Sequence, residues 1–377
     1  MSSENTPLRG FTIGVTASRR ADEFATLLTR RGADVVRAPA IRIIPLSDDA
    51  ELEHATRAIV AAPPDVTIAT TAIGFRGWIG AADGWGLADD LSRALSASRI
   101  LARGPKVTGA IRAAELREEW SPESESSSEV LEHLLAEGVE GKRIAVQLHG
   151  ERTEWEPGED LCDVLRAAGA DVVPVPVYRW TPPEDSTSLD RMIEQISDRA
   201  LDAVTYTSAP AVASMLMRAK ATGMLEPMLQ GLRTGVTAVC VGPVTAAPFL
   251  ELDVPVTMPT RARLGSLARH IAEDLPRRAV RITIGAHVLG LRGRCVVVDD
   301  EVRCLAPAGM ALIRALAARP GNVVSREELL AVLPGGGGDT HAVETAVARL
   351  RSALGVPALV QTVVKRGYRL AVELEER

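Results

Sequence analysis

Through the first 275 residues, short apolar runs alternate with stretches whose apolar positions recur every three or four residues. TIGVT (12–16) and RIAVQL (143–148) are runs of the first kind, and each leads into an amphipathic stretch that stops near a glycine, Gly32 or Gly169. A V-V-x-x-P run follows each glycine, and Asp65 and Asp202 open two further apolar runs, DVTIATTA and DAVTYTSA. Strand, helix and strand in that repeated order predict parallel sheets covered by helices, an α/β fold.

The pattern is written twice. GADVVRAPAIRIIP (32–45) matches GADVVPVPVYRWTP (169–182) in its first five residues and again at Pro39 with Pro176, Arg42 with Arg179 and Pro45 with Pro182, an offset of 137. Asp65 and Asp202 keep that offset, which sets Thr70-Thr71 on Thr207-Ser208, and ARGPKVTGA falls on CVGPVTAA one residue later. Two similar lobes follow from this duplication. Proline at both ends of VRAPAIRIIPL and VPVPVYRWTPP suits edge or connector strands. These segments are read as two crossings side by side, a hinge between lobes. The first lobe then comprises residues 1–45 and 183–274, and the second comprises 46–182 with the connector strands.

Open α/β sheets bind ligands at the carboxyl ends of their strands, so a cleft is expected there, between the lobes. The strand-to-helix corners carry Thr16-Ala17-Ser18-Arg19, Thr70-Thr71, Gly104-Pro105-Lys106, Thr207-Ser208-Ala209 and Gly242-Pro243-Val244-Thr245. Each alone is equally an ordinary helix cap. Together, hydroxyls and outward backbone N–H groups suit a carboxylate- or phosphate-bearing ligand, and Thr16, Thr70, Thr71, Lys106, Ser208 and Thr245 are the candidate ligand residues. His149, after the RIAVQL strand, is a weaker candidate, and SPESESSS (121–128) reads as an acidic flexible loop.

Composition narrows the picture. Aromatic residues make up 3% of the chain, which implies aliphatic cores and argues against stacking platforms for single-stranded nucleic acid. The polar start and the lack of a long apolar run predict a cytoplasmic chain without a membrane span. Cys162, Cys240, Cys295 and Cys304 form no C-x-x-C pair and are expected to be buried free thiols, with no metal site. Charge is unevenly shared: residues 277–377 hold 15 Lys and Arg against 10 Asp and Glu, a net of +5 in a chain whose total is −6. A basic end on an acidic partner is the footprint of a DNA-binding tail.

The pattern after residue 280 changes to short strands. RITIG is followed by RCVVVDDEVRCL, with a hairpin turn at D-D-E, and a helix starts at Pro307 with Met310, Leu312, Ile313, Leu316 and Ala317 on its apolar side. Ser325 caps the next helix, with Glu328 completing a capping box. After PGGGGDT, a last helix buries Val343, Ala346 or Val347, Leu350 and Leu354 and exposes Thr345, Ala348, Arg349 and Ser352, with Arg351 beside them. QTVVKRGYRL is a hairpin with Lys365-Arg366-Gly367 at its tip.

Two resemblances follow from these motifs. The hinged duplication with VYRW, TYTSAPAV and VGPVTAA resembles uroporphyrinogen-III synthase (HemD) over residues 8–273. That resemblance implies a tetrapyrrole precursor held largely by backbone amides, no cofactor, and Tyr178 as the catalytic tyrosine of an active enzyme. SREELL, AVETAVARLRSALG and TVVKRGYRL resemble the winged-helix effector domain of OmpR/PhoB-type regulators, which implies a recognition helix and a wing on double-stranded DNA. The matching positions are Thr345, Arg349 and Arg351 on the helix and Thr362, Lys365, Arg366 and Tyr368 at the wing. The expected architecture is therefore two hinged α/β lobes, a linker at 275–280 and a winged helix-turn-helix domain at 281–377.

The combination is similar to actinobacterial HemD-like regulators of nitrate and nitrite assimilation. It implies a transcription regulator that binds DNA as a homodimer, with a linear or cyclic tetrapyrrole or another carboxylate-rich ligand, RNA polymerase and a nitrogen regulator as partners. The alternative is an active uroporphyrinogen-III synthase, cyclising hydroxymethylbilane, with a regulatory tail.

Overall fold

In a computed structural model of the chain, which describes residues 6–45, 50–123, 127–148, 155, 160–334 and 340–372, parallel strands form two separate sheets. The first has the order Val256–Thr257, Thr237–Cys240, Ala203–Tyr206, Thr12–Val15, Asp34–Arg37, parallel throughout. The second has the order Arg99–Ala102, Val66–Ala69, Arg143–Leu148, Asp171–Pro176, again parallel. The chain divides into two compact units, residues 41–183 in one and 6–40 with 184–372 in the other.

Helices cover both faces of each sheet, which is why the central strands are buried at every position: Val66–Ala69 and Ala203–Tyr206 are buried throughout, and only Thr67 and Thr205 interrupt their apolar runs. In the second sheet's unit, Phe75, Trp78, Leu91 and Ile111 pack one face, and Val130, Leu134 and Leu165 the other. Trp78 is fully buried, and its indole N–H donates to Thr56 Oγ1 at 2.9 Å, so a large apolar group is buried without orphaning its donor. The two proline-bounded segments form a separate antiparallel pair, Arg42–Pro45 with Tyr178–Thr181. The connectors do lie side by side.

Ser127 and Ser128, expected in a loop, open the helix Ser127–Glu137, where Glu129 in the first turn complements the helix dipole. Residues 124–126 and 149–152, the latter with the His149 candidate, lie outside the described residues. No helix of the described residues is long and apolar enough to cross a membrane.

Residues 275–280, expected as a linker, are mostly helix. Leu264–Arg278 continues through Pro276 because Leu267, Ala268, Ile271 and Leu275 form one buried stripe that carries it to its last turn. The following domain opens with an antiparallel meander, Arg281–Ile284, His287–Leu291, Cys295–Val298 and Glu301–Cys304. The His287–Leu291 strand is absent from the sequence-based expectation. Helices Pro307–Ala317, Arg326–Ala331 and Thr340–Leu354 follow, then the hairpin of Val360–Val363 with Gly367–Leu370. The capping box forms as the sequence predicts: Glu328 N–H donates to Ser325 Oγ at 3.1 Å, and Ser325 N–H to Glu328 Oε2 at 2.9 Å.

Two of the four cysteines correct the free-thiol expectation. Cys295 and Cys304 face each other across the hairpin, 4.0 Å apart at Cα, and are disulfide-bonded; Cys162 and Cys240 are buried thiols. Adjacent to that pair, the turn Arg292-Gly293-Arg294 lies against the first sheet's lobe. Arg294 N–H donates to Gly10 O at 2.9 Å, Arg292 Nη1 to Arg9 O at 3.1 Å and to Pro7 O at 3.2 Å, and Arg294 is ion-paired with Asp34. The Arg292 guanidinium also stands 5.3 Å from the centre of the Phe11 ring.

Asp202 is half-buried against this turn. Its carboxylate accepts from Thr12 N–H at 2.7 Å, and burial pushes its pKa up to about 6 against the hydrogen bond and the attraction of Arg314 and Arg294. In the unfolded chain the carboxyl titrates at about 3.9, so between about pH 4 and 6 the folded state binds more protons than the unfolded one. Stability is expected to fall as pH rises through that window, by on the order of 2 kcal/mol from this residue. Urea unfolding of the wild type and Asp202→Asn from pH 4 to 7 checks it: the variant should show a flatter profile there, and identical profiles would refute the assignment.

Candidate DNA interface and candidate ligand corners

The last helix turns Val343, Val347, Leu350 and Leu354 into the domain core, against Leu312, Ile313 and Leu316 of the Pro307–Ala317 helix. That fixes its outer face, and Thr345, Ala348, Arg349 and Ser352 are all exposed there, as their spacing predicts. Arg349 makes no hydrogen bond or ion pair with another described residue. Its guanidinium is thus available for a phosphate or a guanine edge.

At the hairpin, Lys365 and Arg366 form the exposed turn, with Lys365 in the left-handed region at φ 60°. Val364 beside them is 78% exposed, a residue the charge pattern passes over. Two adjacent valines before a basic turn are its signal, since alternation along a strand sends one of such a pair outward.

Of the remaining three positions, Arg351 and Tyr368 are held inward, and Thr362, though exposed, is engaged by Arg351. Arg351 is half-buried and donates through Nη2 and Nε to Val360 O at 2.7 and 2.9 Å, and through Nη2 to Thr362 Oγ1 at 2.9 Å. It ties the helix to the wing, and it occupies the Thr362 hydroxyl in doing so. Tyr368 is 4% exposed. Its ring packs in the core with the Arg351 guanidinium 5.8 Å and the Arg326 guanidinium 5.4 Å from its centre. Burial withdraws Tyr368 from the surface because the hairpin must close the core around Val324. Arg326, which sequence reasoning misses, also reaches Glu344 at 3.6 Å and so links two helices.

The corners of the α/β lobes divide similarly. Thr16 and Thr70 are buried, and their hydroxyls donate across the sheets, Thr16 Oγ1 to Thr205 O at 2.8 Å and Thr70 Oγ1 to Gln147 O at 2.9 Å. Those hydroxyls are used by the fold. Thr71 is the N-cap of Ala72–Gly84: its hydroxyl accepts from Gly74 N–H at 3.3 Å and from Gln147 Nε2 at 2.9 Å. Gln147 Nε2 also reaches Thr71 O at 3.0 Å, so this buried amide braces the corner.

Gly104 and Gly242, paired by the duplication, are both N-caps with extended backbone and proline at the next position. Their helices begin with N–H groups that no side chain caps, beside exposed Lys106 in one lobe and buried Thr245 in the other. Ser208 caps Ala209–Ala221 without a side-chain bond, leaving its hydroxyl available. What these corners offer is backbone N–H, the Ser208 hydroxyl and the Lys106 ammonium, a set suited to anions.

The family model described as uroporphyrinogen-III synthase HemD matches residues 22–269, and that described as transcriptional regulatory protein, C terminal, matches residues 300–370. The uncharacterized protein YjjA of Bacillus subtilis is 27% identical over 267 residues, 71% of this chain and 96% of its own length. A crystal structure of mutant uroporphyrinogen III synthase from the extremely thermophilic bacterium Thermus thermophilus is similar at 25% identity and a TM-score of 0.60, covering 71% of this chain and 100% of that one. The Klebsiella pneumoniae RstA DNA-binding domain, solved in complex with the RstA box, is 29% identical over 24% of this chain and 96% of its own, with a TM-score of 0.21.

Proposed function

Because this chain belongs to the uroporphyrinogen-III synthase family and continues into an OmpR/PhoB-type transcriptional-regulator domain, we propose that it is a DNA-binding transcription regulator whose synthase-like lobes sense an anionic ligand. The observation that carries the reading is the exposed face of Thr345, Arg349 and Ser352 on a helix whose other face is core, beside a basic hairpin tip at Lys365-Arg366. A helix of that kind reads the major groove while the hairpin follows the backbone of the adjacent minor groove. Arg351 is a positioning residue here, setting the wing against the helix. The resemblance to regulators of nitrate and nitrite assimilation selects those promoters as the first DNA to test, with the chain binding as a homodimer. Selection of bound fragments from a random duplex library by the full chain is expected to return a reproducible motif, and recovery of unrelated fragments would refute sequence-directed regulation.

A second reading, retained synthase activity, is favoured by one observation: Tyr178 stands in the connector strand Tyr178–Thr181, where the family resemblance places the catalytic tyrosine. The purified chain, supplied with freshly generated hydroxymethylbilane, is expected to give no uroporphyrinogen III above the spontaneous isomer I. Isomer III formed at a synthase rate, and lost in Tyr178→Phe, would establish an enzyme instead.

A further inference from the structure

We infer that the Cys295–Cys304 pair is a thiol–disulfide latch on the docking of the DNA-binding domain to the first α/β lobe. The pair joins an inner strand of the meander, Cys295–Val298, to its edge strand, Glu301–Cys304, in direct register. Cys304 is exposed and Cys295 is 1% exposed. The asymmetry defines how the bond opens, because a thiolate can reach only the sulfur of Cys304.

Cys295 is buried by the lobe itself. A Cβ built on Gly10 would fall 2.6 Å from Cys295 Cβ and 2.9 Å from its Sγ, so the disulfide stands directly on the Gly10 backbone. One residue before it, Arg294 N–H holds Gly10 O and the Arg294 side chain holds Asp34. One residue further back, Gly293 lies on the Asp202 carboxylate, where any Cβ would overlap, and Arg292 covers Phe11. The docking contacts of this turn are therefore spread over four consecutive residues that end in the disulfide.

The chemistry balances with a thiol such as glutathione as reductant. Its thiolate attacks Cys304 Sγ, the S–S bond breaks, and its electron pair leaves on Cys295 Sγ, which takes a proton from water. A second thiol then displaces Cys304 from the mixed disulfide, releasing glutathione disulfide and a second protein thiol. Separate thiols need van der Waals spacing where the sulfurs were bonded. Exposed Cys304 Sγ can swing toward solvent, and the turn that carries Arg292 and Arg294 then loses the cross-strand bond that fixes Cys295 against the Gly10 backbone. A DNA-binding protein works where thiol pools keep most disulfides open, and those that persist there are commonly regulatory.

Hydrogen exchange on the full chain tests this, with the amides of Arg294 and Thr12 as reporters, since these donate to Gly10 O and to Asp202. The protein is equilibrated with glutathione disulfide or with excess reduced glutathione, and thiols are titrated after denaturation. Two thiols are expected in the oxidised form and four in the reduced form, with both amides exchanging about tenfold faster or more after reduction. Cys304→Ser, at an exposed position, should exchange like the reduced protein in either buffer. Four thiols in glutathione disulfide would overturn the proposal, as would a disulfide that forms without changing exchange at either amide, or Cys304→Ser that keeps the oxidised pattern.

Discussion

Replacing Arg349, Lys365 and Arg366 together with alanine is expected to abolish measurable specific binding to the chain's DNA motif while leaving the fold intact. The three cations are exposed and lie outside the domain core, so their loss costs little in folding. Their roles differ. If Arg349 meets a base edge, its removal alone should cost about 1–3 kcal/mol and relax sequence preference at one position. Lys365 and Arg366 should instead weaken binding to all duplexes and lower the slope of log K against log salt by about 1 each. Fluorescence anisotropy with cognate and scrambled duplexes over a salt series separates the two. An unchanged salt slope in the triple variant would place the DNA elsewhere. Arg351→Ala is the informative contrast. It frees Val360 O and Thr362 and should broaden the wing before it alters base preference.

Gly367→Ala is expected to unfold the DNA-binding domain, or to leave it marginal at room temperature. Gly367 has φ 139°, and an added Cβ would overlap Val324 O and lie 2.9 Å from Val324 C and 3.0 Å from Ser325 Cα. None of those atoms belongs to a side chain that can swing away. The bridge they make is itself structural: Val324 N–H donates to Tyr368 O at 2.8 Å, and Tyr368 N–H to Val324 O at 3.0 Å. A side chain in that backbone region costs about 1–3 kcal/mol, and overpacking about 1–3 kcal/mol more. Together these rival much of a small domain's stability. Thermal unfolding followed by near-ultraviolet circular dichroism should show an early transition absent from the wild type, and a melting curve superimposable on the wild type would contradict the packing described for this turn.

How far the sequence can be read depends on whether the signal is local. The Ser325–Glu328 box, the strand Arg143–Leu148 and the outer face of the last helix each depend on residues within one or two turns, and each is found where the pattern places it. The strand His287–Leu291 escapes the pattern because HVLGL neither alternates nor runs apolar without a glycine, and it is held by neighbours on both sides. The disulfide escapes it although its signal is present: a D-D turn between Val298 and Glu301 sets Val297 on Val302, Val296 on Arg303 and so Cys295 on Cys304. Spacing alone suggests distant cysteines, and only hairpin register brings them together. Burial of Tyr368 and the use of the Thr16 and Thr70 hydroxyls inside the sheets depend on contacts from far along the chain. No motif at those positions encodes them.

The central strand of the first sheet has a bearing on how the chain is made. Thr12–Val15 emerges from the ribosome early, but its neighbour Ala203–Tyr206 follows about 190 residues later, the separation spanned by the bond from Thr12 N–H to Asp202. At about 5–20 residues per second, that strand waits roughly 10–40 s with one hydrogen-bonding edge open. The intervening unit, residues 41–183, contains all the partners of its own sheet and can fold during the delay. Nascent-chain protection of the amino-terminal strand is therefore an obligation that this order of synthesis places on the cell.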